Sequence, residues 1–242
     1  MNIREIFEAA SFQDIGGRSE QQDRVAILWS DAACLVVLAD GMGGHIRGAF
    51  AAQSVIDVTR DLFEGTAETP TADLLKNAVE KAHYLINTGE KSFQFPGSTC
   101  VMLHLTKSKA TSTNIGDSRL YHFRDGRYLD RTVDHADVDV ARLDGLLSEE
   151  EARTDPRRNR LFGYLGGLQW PQIEVKSAHI SERDSFLLCS DGLWENVDTQ
   201  ELEAVFAAKK LSRALRELVS AARSRGGAKC DNISVAAVRQ TR

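Results

Sequence analysis

Much is missing from this sequence, and each absence excludes a class of protein. Among 242 residues there are only four prolines, the apolar content is 42%, and no segment is low in complexity, which excludes a disordered or repetitive chain. The four cysteines, Cys34, Cys100, Cys189 and Cys230, are scattered with no CxxC spacing. That excludes a disulfide framework or a zinc site and implies small buried thiols in a reducing cytosol. The net charge is a modest −5 and no Lys/Arg block stands out, so no nucleic-acid groove is indicated. No run approaches the length of about 20 apolar residues that a membrane span needs. The first residues, MNIREIFEAASFQD, lack the apolar core of a signal peptide. No Cys-x5-Arg and no Gly-x-Ser-x-Gly supplies a covalent nucleophile, and no EF-hand spacing is present. What is left is a cytoplasmic chain with a core of its own, most simply a single domain spanning 1–242.

The pattern of what is present is α+β. CLVVLA, from Cys34 to Ala39, reads as a fully buried strand, and Gly48 to Phe63 as a helix. After Gly65 and Pro70, Thr71 is the predicted cap of a second helix. Its apolar stripe is Leu74, Leu75, Ala78, Val79, Ala82, Leu85 and Ile86. From Gly97 onward come short β segments, with Arg124-Asp125-Gly126-Arg127 as a hairpin turn. Residues 134–167 are polar and irregular. DSFLLCS, from Asp184, is another buried strand, followed by helices near Thr199–Lys209 and Leu211–Arg225 and a closing strand, Asn232–Val238. The stripe Leu215, Leu218, Val219, Ala222 reads as helix core. Paired helices and runs of hairpin-linked strands predict mostly antiparallel sheets.

Four places share one design, an apolar strand meeting an aspartate beside a glycine, serine or asparagine. They are Asp40-Gly41, Gly116-Asp117-Ser118-Arg119, Ser190-Asp191-Gly192 and Asp231-Asn232. Taken singly, Asp-Gly is an ordinary turn dipeptide, and Asp125-Gly126 is only that. The runs before Asp40 and Asp191 are too apolar for surface hairpin arms, however, and Gly43-Gly44 exceed what a turn requires. Aspartates at buried strand ends are costly, and several converging ones repel each other. A bound hard divalent cation removes both costs.

These residues resemble the metal-dependent protein serine/threonine phosphatases of the PPM group, the type-2C protein phosphatases, in their compact bacterial form. GGRSEQQDR (Gly16–Arg24) is similar to the family's opening Arg-x-x-Asn-Glu/Gln-Asp, and LADGMGGH (Leu38–His45) to Asp-Gly-Met-Gly-Gly-His. GST (Gly97–Thr99), NIGDSRLY, VDHADVDVARLDGLLSEEEA, CSDGLWENV and CDNISV follow in the family's order across nearly the whole chain. The resemblance implies a four-layer αββα sandwich, two central antiparallel sheets flanked by helix pairs. It also implies hydrolysis of phosphoserine and phosphothreonine in proteins with Mn²⁺ or Mg²⁺, two ions in the core site and a weaker third.

Carried onto this sequence, Asp40 bridges the two ions, the Gly41 carbonyl ligates one, and Asp191 and Asp231 complete the other. Asp117 serves the third ion or, in the competing reading, is a structural carboxylate paired with Arg119. Asp23 supports the metal shell. Arg18 clamps the substrate phosphate, because a guanidinium holds two of its oxygens at once. A hydroxide between the ions attacks phosphorus directly. The partners implied are phosphoproteins made by a Ser/Thr kinase, met by a monomer.

The sequence also departs from the family. Gln21-Gln22-Asp23 stands where Asn-Glu-Asp is usual, Met42 where eukaryotic members carry a histidine, and Phe162-Gly163-Tyr164-Leu165-Gly166 replaces Thr-Arg-Ala-Leu-Gly. His45 is a candidate proton donor, although a lone histidine is more often structural, as His135 is read to be. The glutamines lend weight to a pseudophosphatase, a phosphoprotein-binding regulator on the same fold. Retention of Asp40, Asp117, Asp191 and Asp231 favours the enzyme. A phosphatase for small phosphoesters is a further alternative, since no residue reads out a peptide.

Overall fold

The structure is a computed structural model that describes residues 2–43, 46–65, 70–88, 96–158 and 160–241. Two five-stranded antiparallel sheets form the centre. The first contains β1 (Phe7–Asp14), β12 (Ile233–Gln240), β11 (Asp184–Cys189), β8 (Arg119–Arg124) and β9 (Arg127–Arg131), in that order. The second runs β10 (Lys176–His179), β7 (Lys109–Ile115), β6 (Cys100–Leu105), β3 (Cys34–Ala39) and β2 (Arg24–Trp29). A short ladder joins β4 (Gly41–Met42) to β5 (Gly97–Ser98).

Strand alternation builds the layers. On β3, Cys34, Val36 and Leu38 face the first sheet, where they meet Phe186, Leu188, Ala236 and Val238. Leu35, Val37 and Ala39 face outward under α2 (Ile46–Gly65) and α3 (Thr71–Thr88). The first sheet's outer face, with Leu187, Val235 and Ala237, is covered by α7 (Thr199–Ala207) and α8 (Leu211–Gly226). Both faces of each central strand are therefore buried, which explains the unbroken apolar runs. The result is the expected αββα sandwich. α1 (Ile3–Ile6), α4 (Asp137–Leu143), α5 (Glu149–Thr154) and α6 (Asp191–Trp194) complete the α-helices among the described residues, and a 3-10 turn spans Gly227–Lys229.

Most expected elements are present, with instructive exceptions. Asp125 and Gly126 both have positive φ, 53° and 71°, as a two-residue hairpin turn demands. The α8 stripe is buried as read. Thr71 is the first residue of α3 instead of its cap, and the buried stripe takes His83 in place of Leu85, which is exposed. β1 and β10 were not legible as strands, because each mixes polar residues into a half-buried or exposed run, and β2, apolar from Val25 to Trp29 but only half-buried, carried no strand expectation either. The polar stretch after Asp134 contains α4 and α5. All four cysteines are free and buried.

Hairpin topology explains why the aspartates meet. Ala39, the last residue of β3, pairs with Arg24, the first of β2, so Asp40 and Asp23 leave the sheet at the same end. Cys189, the last of β11, pairs with Arg119 at the start of β8 and with Val235 near the start of β12. Asp191, Asp117 and Asp231 therefore share one end of the other sheet.

Candidate active site

The backbone of Asp40 is clamped from three directions. Its N–H donates to Thr99 Oγ1 at 2.9 Å, and its carbonyl accepts from Thr99 N at 2.9 Å and Ser98 Oγ at 3.1 Å. Thr99 Oγ1 also shares a 2.7 Å hydrogen bond with Ser118 Oγ. The motifs at 97–99 and 116–119 thus hold the motif at 40–41 in place. Gly41 is required sterically. A Cβ there would overlap the Gly48 carbonyl and press on the Gln22 carbonyl, so only glycine lets the start of α2 close on this strand end. Gly43 is left-handed, with φ 116°. Gly44 and His45, with the expectation attached to His45, lie outside the described residues.

The other acids are held by their own neighbours. Asp23 is buried. Its Oδ2 accepts from Ser190 Oγ at 2.7 Å, while its Oδ1 is buried with no hydrogen-bond partner. Gln21 holds the Asp23 backbone, its Oε1 accepting from Asp23 N at 3.0 Å. Asp191 follows β11 directly, and its Oδ1 is likewise buried and unpartnered. Asp231 has both oxygens engaged, Oδ1 by Asn232 N at 2.7 Å and Oδ2 by Arg18 Nη2 at 2.6 Å. Asn232 staples the Arg18 loop, donating to the carbonyls of Ile15 and Glu20 and accepting from Gln22 N.

Asp117 does not pair with Arg119, contrary to one of the two readings of that motif. The Arg119 guanidinium grips Asp134 instead, with Nε at 3.0 Å and Nη2 at 2.6 Å, and lies 3.6 Å over the Trp194 ring. Trp194 Nε1 in turn donates to the Asp117 carbonyl at 3.0 Å, so Trp194 is a buried wall of the site. His135 has a structural setting, its ring stacked on Phe162 and its backbone N–H donating to the Gly116 carbonyl.

The electrostatics show that these carboxyls share one space. Burial pushes Asp23 and Asp117 up to about 7. Asp40 is raised well above the ordinary carboxylate range, first by burial and then by the charges of Asp23, Asp191, Asp117 and Asp231. Asp191 is raised by burial and then by Asp117, Asp231, Glu195 and Asp23. Four buried acids raised by burial and by neighbouring charges, with Asp231 beside them and two orphaned buried oxygens, form a donor set suited to hard divalent cations. Among the described residues, no three side chains stand as a ready-made metal cage. The residues fit a metal pair in the chemistry of their donors, hard carboxylate oxygens gathered at one end of the two sheets, two of them buried with no partner.

Ser98, Thr99, Ser118, Ser190, Asn232 and Asp134 support the site and carried no assignment from sequence. A signal was present, since a hydroxyl or amide residue stands beside the acid in the GDS, CSD and CDN motifs and GST supplies two hydroxyls.

The four-layer sandwich, with acidic motifs gathered from both sheets at one end, is that of the metal-dependent serine/threonine protein phosphatases. The chain belongs to the protein phosphatase 2C family, whose model matches residues 15–231. It is 30% identical to the serine/threonine phosphatase stp of Listeria welshimeri over 231 residues, covering 92% of this chain and 88% of that protein. The solved structure of the S. agalactiae serine/threonine phosphatase superposes with a TM-score of 0.85 at 29% identity, covering 96% of this chain and 99% of that one. The catalytic domain of the phosphatase PstP, solved in complex with two manganese ions, superposes at 0.83 with 28% identity over 98% and 99% of the two chains.

Proposed function

We propose that residues 1–242 act as one catalytic domain that removes phosphate from phosphoserine and phosphothreonine in proteins by direct hydrolysis. The observation that carries the proposal is the aspartate end itself. Asp40, Asp191, Asp23 and Asp117 are raised by burial and by their neighbours' charges, and Asp23 Oδ1 and Asp191 Oδ1 are buried and unpartnered. Asp40 and the Gly41 carbonyl, with Asp191 and Asp231, would hold two Mn²⁺ or Mg²⁺ ions. Asp117 would hold a third, and Asp23 would order the shell from below. Bound there, the ions supply an activated water for in-line attack at phosphorus.

The chain's own residues do the rest. Arg18, beside Asp231 on the solvent side, would take two phosphate oxygens with its planar fork. Thr99 and Ser98 fix the Asp40 backbone, and Ser190 fixes Asp23, so the donors are oriented in advance. The departure at Gln21 is accommodated, because Gln21 has a defined task in holding the Asp23 backbone. That weakens the pseudophosphatase reading. Four free cysteines fit a cytoplasmic setting, and no helix among the described residues is long and apolar enough to cross a membrane. Substrates would be the phosphoproteins of a Ser/Thr kinase, met by a monomer.

The test is phosphate release from a phosphothreonine peptide with Mn²⁺, with Mg²⁺ and with chelator, for the parent protein and Asp191→Asn. Metal-dependent turnover abolished by the substitution supports the proposal. Folded protein with no turnover under any metal would leave a phosphoprotein-binding module.

A further inference from the structure

We infer that Arg18 is a gate for metal loading as well as a phosphate clamp: its guanidinium and a cation compete for Asp231 Oδ2. Filling the metal site therefore releases the arginine toward substrate phosphate. The inference rests on the assignment of Asp231 to the metals and of Arg18 to phosphate.

The acids of the site are not equally open. Asp23 Oδ1 and Asp191 Oδ1 have no hydrogen-bond partner, whereas both oxygens of Asp231 are engaged. Oδ1 accepts from a backbone N–H of its own chain segment, which tethers the carboxylate and leaves Oδ2 as its outward ligand atom. Arg18 Nη2 stands on that atom at 2.6 Å. A guanidinium on Oδ2 takes one of that oxygen's acceptor sites and sets a positive charge beside any cation bound to the same atom, so each weakens the other's hold on Asp231.

The arginine is kept at this post by packing that does not depend on the ion pair. Gly17 N donates to the Cys230 carbonyl at 2.7 Å. A Cβ on Gly16 would overlap the Asp231 carbonyl, and one on Gly17 the Ala228 carbonyl. Asn232 closes the loop by donating to the Ile15 and Glu20 carbonyls. The main chain at Arg18 is thus zipped against residues 228–232, while the side chain is 58% exposed and free to swing. Displaced from Asp231, the guanidinium stays tethered through its main chain to residues 228–232, at the mouth of the acidic cluster, where it could take a phosphate. The pair is also weak enough to yield, since exposed ion pairs are worth a factor of about two to five in affinity.

The consequence is a reciprocal coupling with opposite signs at one residue. Removing the guanidinium should tighten metal binding and loosen phosphate binding. A purely structural role would shift both the same way or neither, and a clamp without a gate would shift phosphate alone. The experiment is calorimetric titration of Mn²⁺, and then of inorganic phosphate onto the Mn²⁺-loaded protein, for the parent, Arg18→Gln and Arg223→Gln. Arg223 faces Asp14 and the Gly227 carbonyl, so its variant removes the same charge from the neighbourhood without touching Asp231.

For Arg18→Gln, Mn²⁺ affinity should rise about two- to fivefold and phosphate affinity fall about tenfold or more, as for loss of a charge-assisted contact. Arg223→Gln should show neither change at that size. If Arg18→Gln gains no Mn²⁺ affinity beyond Arg223→Gln, the gate is refuted while the clamp stands. If the parent binds no Mn²⁺ and releases no phosphate from a phosphopeptide, the phosphatase reading fails and the gate falls with it.

Discussion

Chelation should make this protein lose stability as pH rises through the range where ordinary carboxylates have finished titrating. Asp23 and Asp117 rise from an ordinary 3.8 to about 7. Their folded-state values lie above the unfolded ones, so the folded chain binds extra protons between about 4 and about 7. Stability in chelator is greatest, for these groups, below that window and is lost as pH climbs through it. A rise of this size corresponds to about 4 kcal/mol for one group, which we take as the scale because the carboxyls share their charge environment. For a chain of this length that is a fall in Tm of about 8–16 °C.

Three histidines act in the opposite direction. Burial lowers the pKa of His83, His104 and His135, so they add stability as pH rises toward about 6.5. Both arms of the comparison contain them, so the assay is the difference in Tm between saturating Mn²⁺ and chelator, measured from about pH 5 to about pH 7.5. That difference should widen steadily with pH. Calorimetry in buffers of different ionisation heat should also show about one to three protons released on Mn²⁺ binding near pH 7, roughly half each from Asp23 and Asp117 and up to one each from Asp40 and Asp191. A metal-induced gain already flat above about pH 5, with no protons released, would mean that the carboxyls titrate normally and that the cluster reasoning is wrong.

Other consequences are local. Thr99→Val removes the acceptor for Asp40 N and the partner of Ser118 Oγ, and should cost about 1–3 kcal/mol in chemical denaturation together with a weaker Mn²⁺ affinity. Arg119→Ala strips a buried carboxylate, Asp134, of its bidentate partner and uncovers Trp194, so a loss of about 3–5 kcal/mol and a shifted tryptophan emission are expected. An unchanged melting curve would contradict that assignment. All four cysteines are buried, and burial pushes the Cys34 thiol up to about 12 and those of Cys100, Cys189 and Cys230 upward as well. A thiol reagent at neutral pH should therefore label the protein only after denaturant is added.

How much could be read from sequence depended on whether a residue's role was local. Asp40, Asp117, Asp191 and Asp231 were legible because an acid at the end of a buried strand, before it or after it, is costly wherever it occurs. The layers were legible because central strands buried on both faces have no polar alternation, as in Cys34–Ala39. β1 was not, since FEAASFQD gains its strand conformation by pairing with β12 more than 200 residues away. The stripe of α3 misplaced Leu85 because His83 is drawn inward by the loop at 166–170, where Gly166 N donates to its ring and Trp170 packs on it. Arg119 was offered Asp117 by proximity in sequence and took Asp134 instead, a choice set by the hairpin from β8 to β9. The serines and threonine that hold the acids were visible as letters, but hydroxyl-to-carboxylate contacts such as Ser190 to Asp23 span 167 positions and have no sequence signature.

The most direct test of the metal assignment is anomalous diffraction at the manganese edge from crystals of this protein grown with Mn²⁺. Two peaks within bonding distance of Asp40, one also touching the Gly41 carbonyl and the other Asp191 and Asp231, are the expected result. Peaks elsewhere on the surface, with these carboxylates still apart and Arg18 still on Asp231, would contradict the proposed site.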